Sequence, residues 1–258
     1  MTALSITTAW NEAMAFVRRE FGTLLAIVLG LIALPVVALQ LLVPGFNPQA
    51  GQEPELNAWM LLIIPAALIG MVGSLVISIL AIGREPVVRD AFSLAFRRLL
   101  PLIGAALLLM CILLPFGLVM AVLWALSPGL AAHGIVLFVL GAIFVWVRLM
   151  VINPVAAAED VGPFDILRRS WELTRGHFWK LLGFMILLII LFVVVAFAVS
   201  AVVGILIFVV AGAPDPGSTA HVLMVLVGGL INSVLTLILT VVIARVYAQL
   251  AGQPTSGT

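Results

Sequence analysis

Six long apolar runs divide this chain, at about 21–43, 59–82, 99–126, 134–157, 181–212 and 222–244. A helix needs about 20 apolar residues to cross a hydrocarbon core of roughly 30 Å, and each run has that length. The run at 181–212 exceeds it, so it must tilt, bend or protrude. The pattern predicts an all-α, polytopic membrane protein with six transmembrane helices.

Ahead of each odd-numbered run the pattern changes from uniformly apolar to amphipathic. In the first such segment Ile6, Trp10, Met14 and Val17 form a stripe, with Asn11, Glu12, Arg18 and Arg19 off it. In the second, Pro86 suits a first helical turn, and Val88, Phe92, Phe96 and Leu99 follow at helical spacing. In the third, Phe164, Leu167, Trp171, Thr174 and Phe178 make the stripe, while Arg168, Arg169, Glu172 and Arg175 lie elsewhere. These periods predict three helices lying in the membrane interface, apolar face down and arginines among the headgroups. The segments also align with one another, through Arg18, Arg97 and Arg175, each followed by an apolar pair and a new span. Pro35 and Pro115 occupy similar places in the first and third spans. The reading is a threefold internal repeat of interfacial helix plus hairpin, in units of about 1–84, 85–161 and 162–250. All belong to one integral membrane domain, 1–258, whose residues 251–258 form a short polar tail.

Charge orients this arrangement. Threaded up and down, the spans put all twelve Lys and Arg residues on one side. The opposite loops, about 44–58, 127–133 and 213–220, carry only Glu53, Glu55 and Asp215 of the eleven acidic residues. Enrichment of Lys and Arg on the cytoplasmic side then predicts that both termini are cytoplasmic. Composition agrees with the class: 64% hydrophobic and 9% charged residues leave too little polar surface for a soluble domain. No small-residue cleavage pattern follows the N-terminal segment, so it does not read as a signal peptide. Cys111, alone and mid-span, says nothing about redox compartment. The preponderance of Arg over Lys, with abundant Ala, points to a GC-rich bacterial genome and so to a bacterial inner membrane.

A few polar residues stand out against this background. Arg148 lies within the fourth span, toward its basic end, where its stem can snorkel to the interface. Two readings stay open: a buried cation that binds an anionic headgroup or pairs with Glu159, or a topology anchor. Asn153-Pro154 should break or kink the same helix and free carbonyls that need partners. On the sixth span Asn232, Thr236 and Thr240 fall at i, i+4 and i+8, a strip that faces a neighbouring helix or a wet cavity. Ser74, Ser78 and Gly228-Gly229 are packing positions. Glu159-Asp160 stands beside Arg168 and Arg169, which reads as a salt-bridge cluster in preference to a metal site. His133, His177 and His221 lack carboxylate or Cys partners at ligand spacing, and no HExxH, P-loop, GxSxG or dinucleotide fingerprint occurs. The expectation is therefore no enzyme, no metal and no cofactor. The basic segments are too apolar for nucleic acid and suit anionic lipid.

The stretch 148–182, RLMVINPVAAAEDVGPFDILRRSWELTRGHFWKLL, carries a family signal. With Pro154 and Glu159 after a span, the Leu-Arg-Arg-Ser-Trp run at 167–171 and Leu-Thr-Arg-Gly at 173–176, it resembles the glycerophosphoryl diester phosphodiesterase membrane-domain family and similar YciC-like inner-membrane proteins. The N-terminal AWNEAMAFVRREFGTLL and the closing Val-Tyr-Ala-Gln-Leu at 246–250 extend the likeness over essentially the whole chain. In some relatives this region is fused to a catalytic barrel; no such barrel is encoded here, and the resemblance implies no catalytic residue. The functional expectation is a non-catalytic membrane protein that organises lipid, or docks a protein partner or a second copy, through its basic face. Arg148, Glu159, Arg168, Arg169, Arg175 and Lys180 are the candidate contacts. The alternative is a small-molecule or lipid translocator with a site near Arg148 and the Asn232–Thr236–Thr240 strip.

Overall fold

Helix formation here follows from apolar sequence, and helix interruption follows from a few prolines and polar joints. A computed structural model describes residues 5–42, 61–83, 87–215 and 217–252. The expectations placed on Glu53, Glu55 and Pro86, and on the end of the polar tail, lie outside the described residues. Among the described residues the chain is helical, with no strand. Six helical spans are long and apolar enough to cross a membrane: Phe21–Leu41, Ile63–Ile82, Val88–Ala125, His133–Ala158, Phe178–Ala211 and Thr219–Leu250. This is a multi-pass membrane protein.

Helix α1 (Ile6–Arg19) starts at Ser5, whose hydroxyl accepts from the Thr8 N–H, and stops at Glu20, which leaves helical geometry. The first span is then built from α2 (Phe21–Val28), a π-helical segment (Leu29–Ala33) and α3 (Leu34–Leu42). Pro35 explains the π turn: it has no N–H to give the Leu31 carbonyl, and its ring crowds that oxygen. The backbone widens upstream, so that the Leu34 N–H reaches the Leu29 carbonyl five residues back. Helix α4 (Ile63–Ile82) ends at Gly83 with φ 78°, a left-handed stop that glycine adopts without strain.

Helix α5 (Val88–Leu126) runs for 39 residues through Pro101 and Pro115, about 58 Å at 1.5 Å per residue. The second amphipathic segment is therefore continuous with the third span and not a helix of its own. No glycine or polar joint separates the two, unlike Glu20 after α1. Helix α6 (Pro128–Arg148) begins on a proline, and α7 (Ile152–Ala158) follows after a three-residue turn. The expected break at Asn153-Pro154 thus falls at 149–151, because the Pro154 ring would collide with the Met150 carbonyl in a continuing helix. Pro154 itself sits in the first turn of α7, where it costs nothing. Helix α8 (Pro163–Thr174) is separate, closed by Arg175 in extended geometry and Gly176 at φ 85°. Arg175 is accordingly in a joint, whereas the aligned Arg18 and Arg97 are on helices. Helices α9 (Phe178–Ala211) and α10 (Thr219–Leu250) complete the chain.

The up-and-down order brings every described Lys and Arg to one end of the bundle, the basic end. The buried core lies there too. It joins Ala9, Ala13 and Phe16 of α1, residues 72–82 of α4, Ala91 and Ala95 of α5, 155–158 of α7, Ile166 of α8, Leu181 of α9 and 241–248 of α10. Helix α4 packs against α5, α7 and α10, and α1 lies along α10. The stripe of α1 thus meets protein: Val17 is buried, and Ile6, Trp10 and Met14 pack on the core. In α8 the inward face is Ile166, Ser170 and Thr174, leaving Phe164 and Trp171 outward. Toward the far end the helices separate, and α5, α6 and α9 present long exposed apolar surfaces.

Candidate functional site

Terminating α6 at Arg148 strands a carbonyl. The Ile152 N–H, which would have served the Arg148 oxygen, bonds to Leu149 instead. The Ser170 hydroxyl fills the gap, donating to the Arg148 carbonyl at 3.0 Å, and the Thr174 hydroxyl, one turn on along α8 and 3.1 Å from the same oxygen, shares its hydrogen with the Ser170 carbonyl at 2.9 Å. Helix α8 is pinned to the break in the fourth span by these two bonds. The Arg148 side chain turns into an aromatic enclosure: its guanidinium carbon stands 5.2 Å from the Phe144 ring centre, 5.4 Å from Trp171 and 5.8 Å from Phe178. Three rings around one cation give attraction without a counter-charge. Its Nε and Nη1 are buried and donate to no acceptor among the described residues. Arg148 does not pair with Glu159.

Glu159 belongs to a different cluster. One of its oxygens, Oε1, accepts from Arg169 Nε at 3.1 Å and from the Tyr247 hydroxyl at 2.9 Å. Tyr247 is fully buried on α10, so this carboxylate ties the α7–α8 joint to the last span. Asp160, next along, pairs with Arg98 of α5, whose side chain is almost entirely buried while the Asp160 side chain is exposed. Arg168 pairs with Glu172 one turn on, at 2.9 Å. That hydrogen bond and charge raise its pKa above the ordinary arginine value. At the opposite edge of the core Arg245, 5% exposed, lies over Phe16 at 5.3 Å, fixing α1 on α10. The Ser5 N–H adds a bond to Gln249 Oε1.

Not every cation at this end is engaged. Among the described residues Arg18, Arg89, Arg97, Arg175 and Lys180 are exposed and have no acidic partner. Phe96, Phe164, Trp171 and Trp179 stand exposed at the same end. Of the candidate contacts, then, Arg175 and Lys180 are open to a ligand, Arg168 and Arg169 are paired, Glu159 is a structural acceptor, and Arg148 is held by aromatics. Arg97 and Arg18, which entered the sequence argument only as repeat markers, join the open set. No group of three His, Cys, Asp or Glu residues at metal-binding distance occurs among the described residues.

The sixth-span strip divides. Thr240 donates to the Thr236 carbonyl at 2.8 Å, a bond within the helix. Asn232 instead lines a crevice of about 470 Å³ between the first span and α10, shared with Ile32, Val36, Gln40, His221 and Ser233. Arg148 lies elsewhere, where α6 meets α8 and α9. Gly229 allows the contact that closes one edge of the crevice: a Cβ there would come within 2.4 Å of Val37 Cγ2.

Residues 4–250 match the family DUF7847, a domain of unknown function, and the chain belongs to that family. Comparison with curated proteins and with solved structures gives no match.

Proposed function

We propose that this protein is a non-catalytic module of the bacterial inner membrane that engages anionic lipid through its basic end, with both termini cytoplasmic. One observation carries the reading. Five exposed cations without acidic partners share an end with exposed aromatic side chains, on a scaffold whose other described cations are paired with carboxylates (Arg19, Arg98, Arg168, Arg169) or stacked on aromatic rings (Arg148, Arg245). Unpaired Lys and Arg near an anionic surface contribute about 1 kcal/mol each. Tryptophan and phenylalanine at the headgroup level anchor the same zone. The frame formed by Glu159, Tyr247, Arg169 and the Arg148 enclosure supports the segment that carries Arg175 and Lys180. The relation to the glycerophosphoryl diester phosphodiesterase membrane-domain family belongs to this proposal and rests on the 148–182 block.

A translocation site combining Arg148 with the sixth span gains less support. Arg148 and Asn232 face different helices, and the core of α1, α4, α7 and α10 fills the basic end of the bundle. The test is native mass spectrometry from nanodiscs holding phosphatidylglycerol and phosphatidylcholine in equal amounts. Wild type should retain phosphatidylglycerol preferentially, and Arg97→Gln/Arg175→Gln/Lys180→Gln should lose that preference. An unchanged preference, or a co-released protein in place of lipid, overturns the reading.

A further inference from the structure

Asn232 sits thirteen residues, about 20 Å, from Thr219 at the start of α10 and the same distance from Arg245, the cation near its other end. That places its amide close to the middle of the hydrocarbon layer. The side chain is exposed and has no hydrogen-bond partner among the described residues. An amide facing hydrocarbon with its bonds unmade is costly. Its neighbour Ser233, by contrast, satisfies its hydroxyl on the Gly229 carbonyl at 2.6 Å.

The crevice that Asn232 lines offers what such an amide needs. Gln40 and His221 supply further donors and acceptors toward the far end, while Ile32 and Val36 supply an apolar wall. Among the described residues no Lys, Arg, Asp or Glu lies on it. The π-helical segment forms part of that wall, through Ile32 and Ala33. A volume of about 470 Å³ holds on the order of fifteen water-sized groups at roughly 30 Å³ each. Ligand pockets fall in this size range.

We infer that this crevice binds the uncharged, hydroxyl- or amide-bearing portion of a small molecule, with Asn232 and Gln40 as its hydrogen-bonding anchors. Among the described residues the wall offers no counter-charge to offset the desolvation of an ionic head at mid-membrane, which favours an uncharged one. The polar portion can arrive as the head of an amphiphile, its chain lying against Ile32 and Val36, or as a free polyol. This inference is independent of the lipid-binding basic end, and its failure would leave that reading untouched.

The test uses the full chain in nanodiscs and a photoactivatable octyl glucoside with a diazirine in its chain, kept below the concentration that disrupts the discs. Labelling should fall on 221–233 or 32–40. Unlabelled octyl glucoside should suppress it, and octylammonium and octyl phosphate should not. Competition by free glucose as well would identify a soluble polyol as the source; resistance to glucose would identify an amphiphile. Asn232→Leu should reduce labelling about three- to tenfold, as expected for loss of a hydrogen bond or two, and Gln40→Leu provides a second variant should the first fail to fold. Labelling spread along α5 and α9, suppression by the charged octyl compounds as effective as by the glucoside, or labelling unchanged in both variants overturns the inference.

Discussion

At the basic end α4 buries Leu75, Val76 and Ile77 completely, while at the far end of α9 Val209 and Val210 are 75% and 84% exposed. Both stretches are strongly apolar, so hydrophobicity does not separate them. In a bilayer the tails of lipid are as apolar as leucine, and burying a leucine gains little. What differs is the burial of small residues between helices and the supply of polar ties. The packed end has Ala9 with Ala13, Ala91 with Ala95, and 156–158, all of which let backbones approach closely. It also has the Glu159, Arg148-carbonyl and Asp160 connections between helices. The far end of α9 holds small residues too, but Ala198, Ser200 and Ala201 stay exposed, and among the described residues no side-chain hydrogen bond joins α5, α6 and α9 to one another there.

The largest effect should come from unpacking one end against the other. Leu75→Ala should lower stability by about 2–3 kcal/mol, the cavity part of a leucine removed from a close-packed interior, since transfer to lipid adds little. Leu137→Ala, on the exposed surface of α6, should change it by less than about 0.5 kcal/mol. Thermal unfolding in one detergent compares them, and equal losses would dissolve the distinction between the ends.

Next in size are the polar ties. Ser170→Ala/Thr174→Val strands the Arg148 carbonyl and should cost about 1–3 kcal/mol. Hydrogen exchange should then rise in α8 before it rises in α4; uniform exchange would show that α8 is held by other means. Arg148→Met keeps the apolar stem and removes the cation–π attraction, so a loss of about 1–2 kcal/mol is expected. A loss much above that would mean that the unpartnered Nε and Nη1 find an anion in the membrane. The smallest effect belongs to Arg168→Gln. Its pair with Glu172 is exposed and screened by solvent, so the melting midpoint should match wild type within error, and a clear drop would give that arginine a role beyond its helix.

The sequence showed the helical class, six spans and the gathering of cations at one end, because span length and charge are local quantities. It also placed the break near Pro154 and expected the freed carbonyl to need a partner. It could not show that the partner is the Ser170–Thr174 pair, since only the approach of α8 to the break makes it so. Glu159 was drawn toward Arg148 by proximity along the chain. Of its two partners, Arg169 lies in the adjacent basic run that the sequence pointed to, whereas Tyr247 is 88 residues away and becomes a neighbour only when α10 enters the core. Arg168 and Arg169, adjacent in sequence, look equivalent until helical rotation aims one at Glu172 and the other at Glu159. The π turn was legible in principle from Pro35, but the crevice beside it depends on how α3 and α10 diverge from the Val37–Gly229 contact.

The most direct test of the central claim is the melting temperature in nanodiscs of pure phosphatidylcholine and of phosphatidylcholine with phosphatidylglycerol, for wild type and for Arg97→Gln/Arg175→Gln/Lys180→Gln. Three basic residues at about 1 kcal/mol each amount to roughly a hundredfold in affinity, and a ligand that binds the folded state raises its stability. The account predicts that the anionic lipid raises the wild-type midpoint, that the triple variant shows little of this rise, and that the two proteins melt together in phosphatidylcholine alone. An equal rise in both proteins would contradict it.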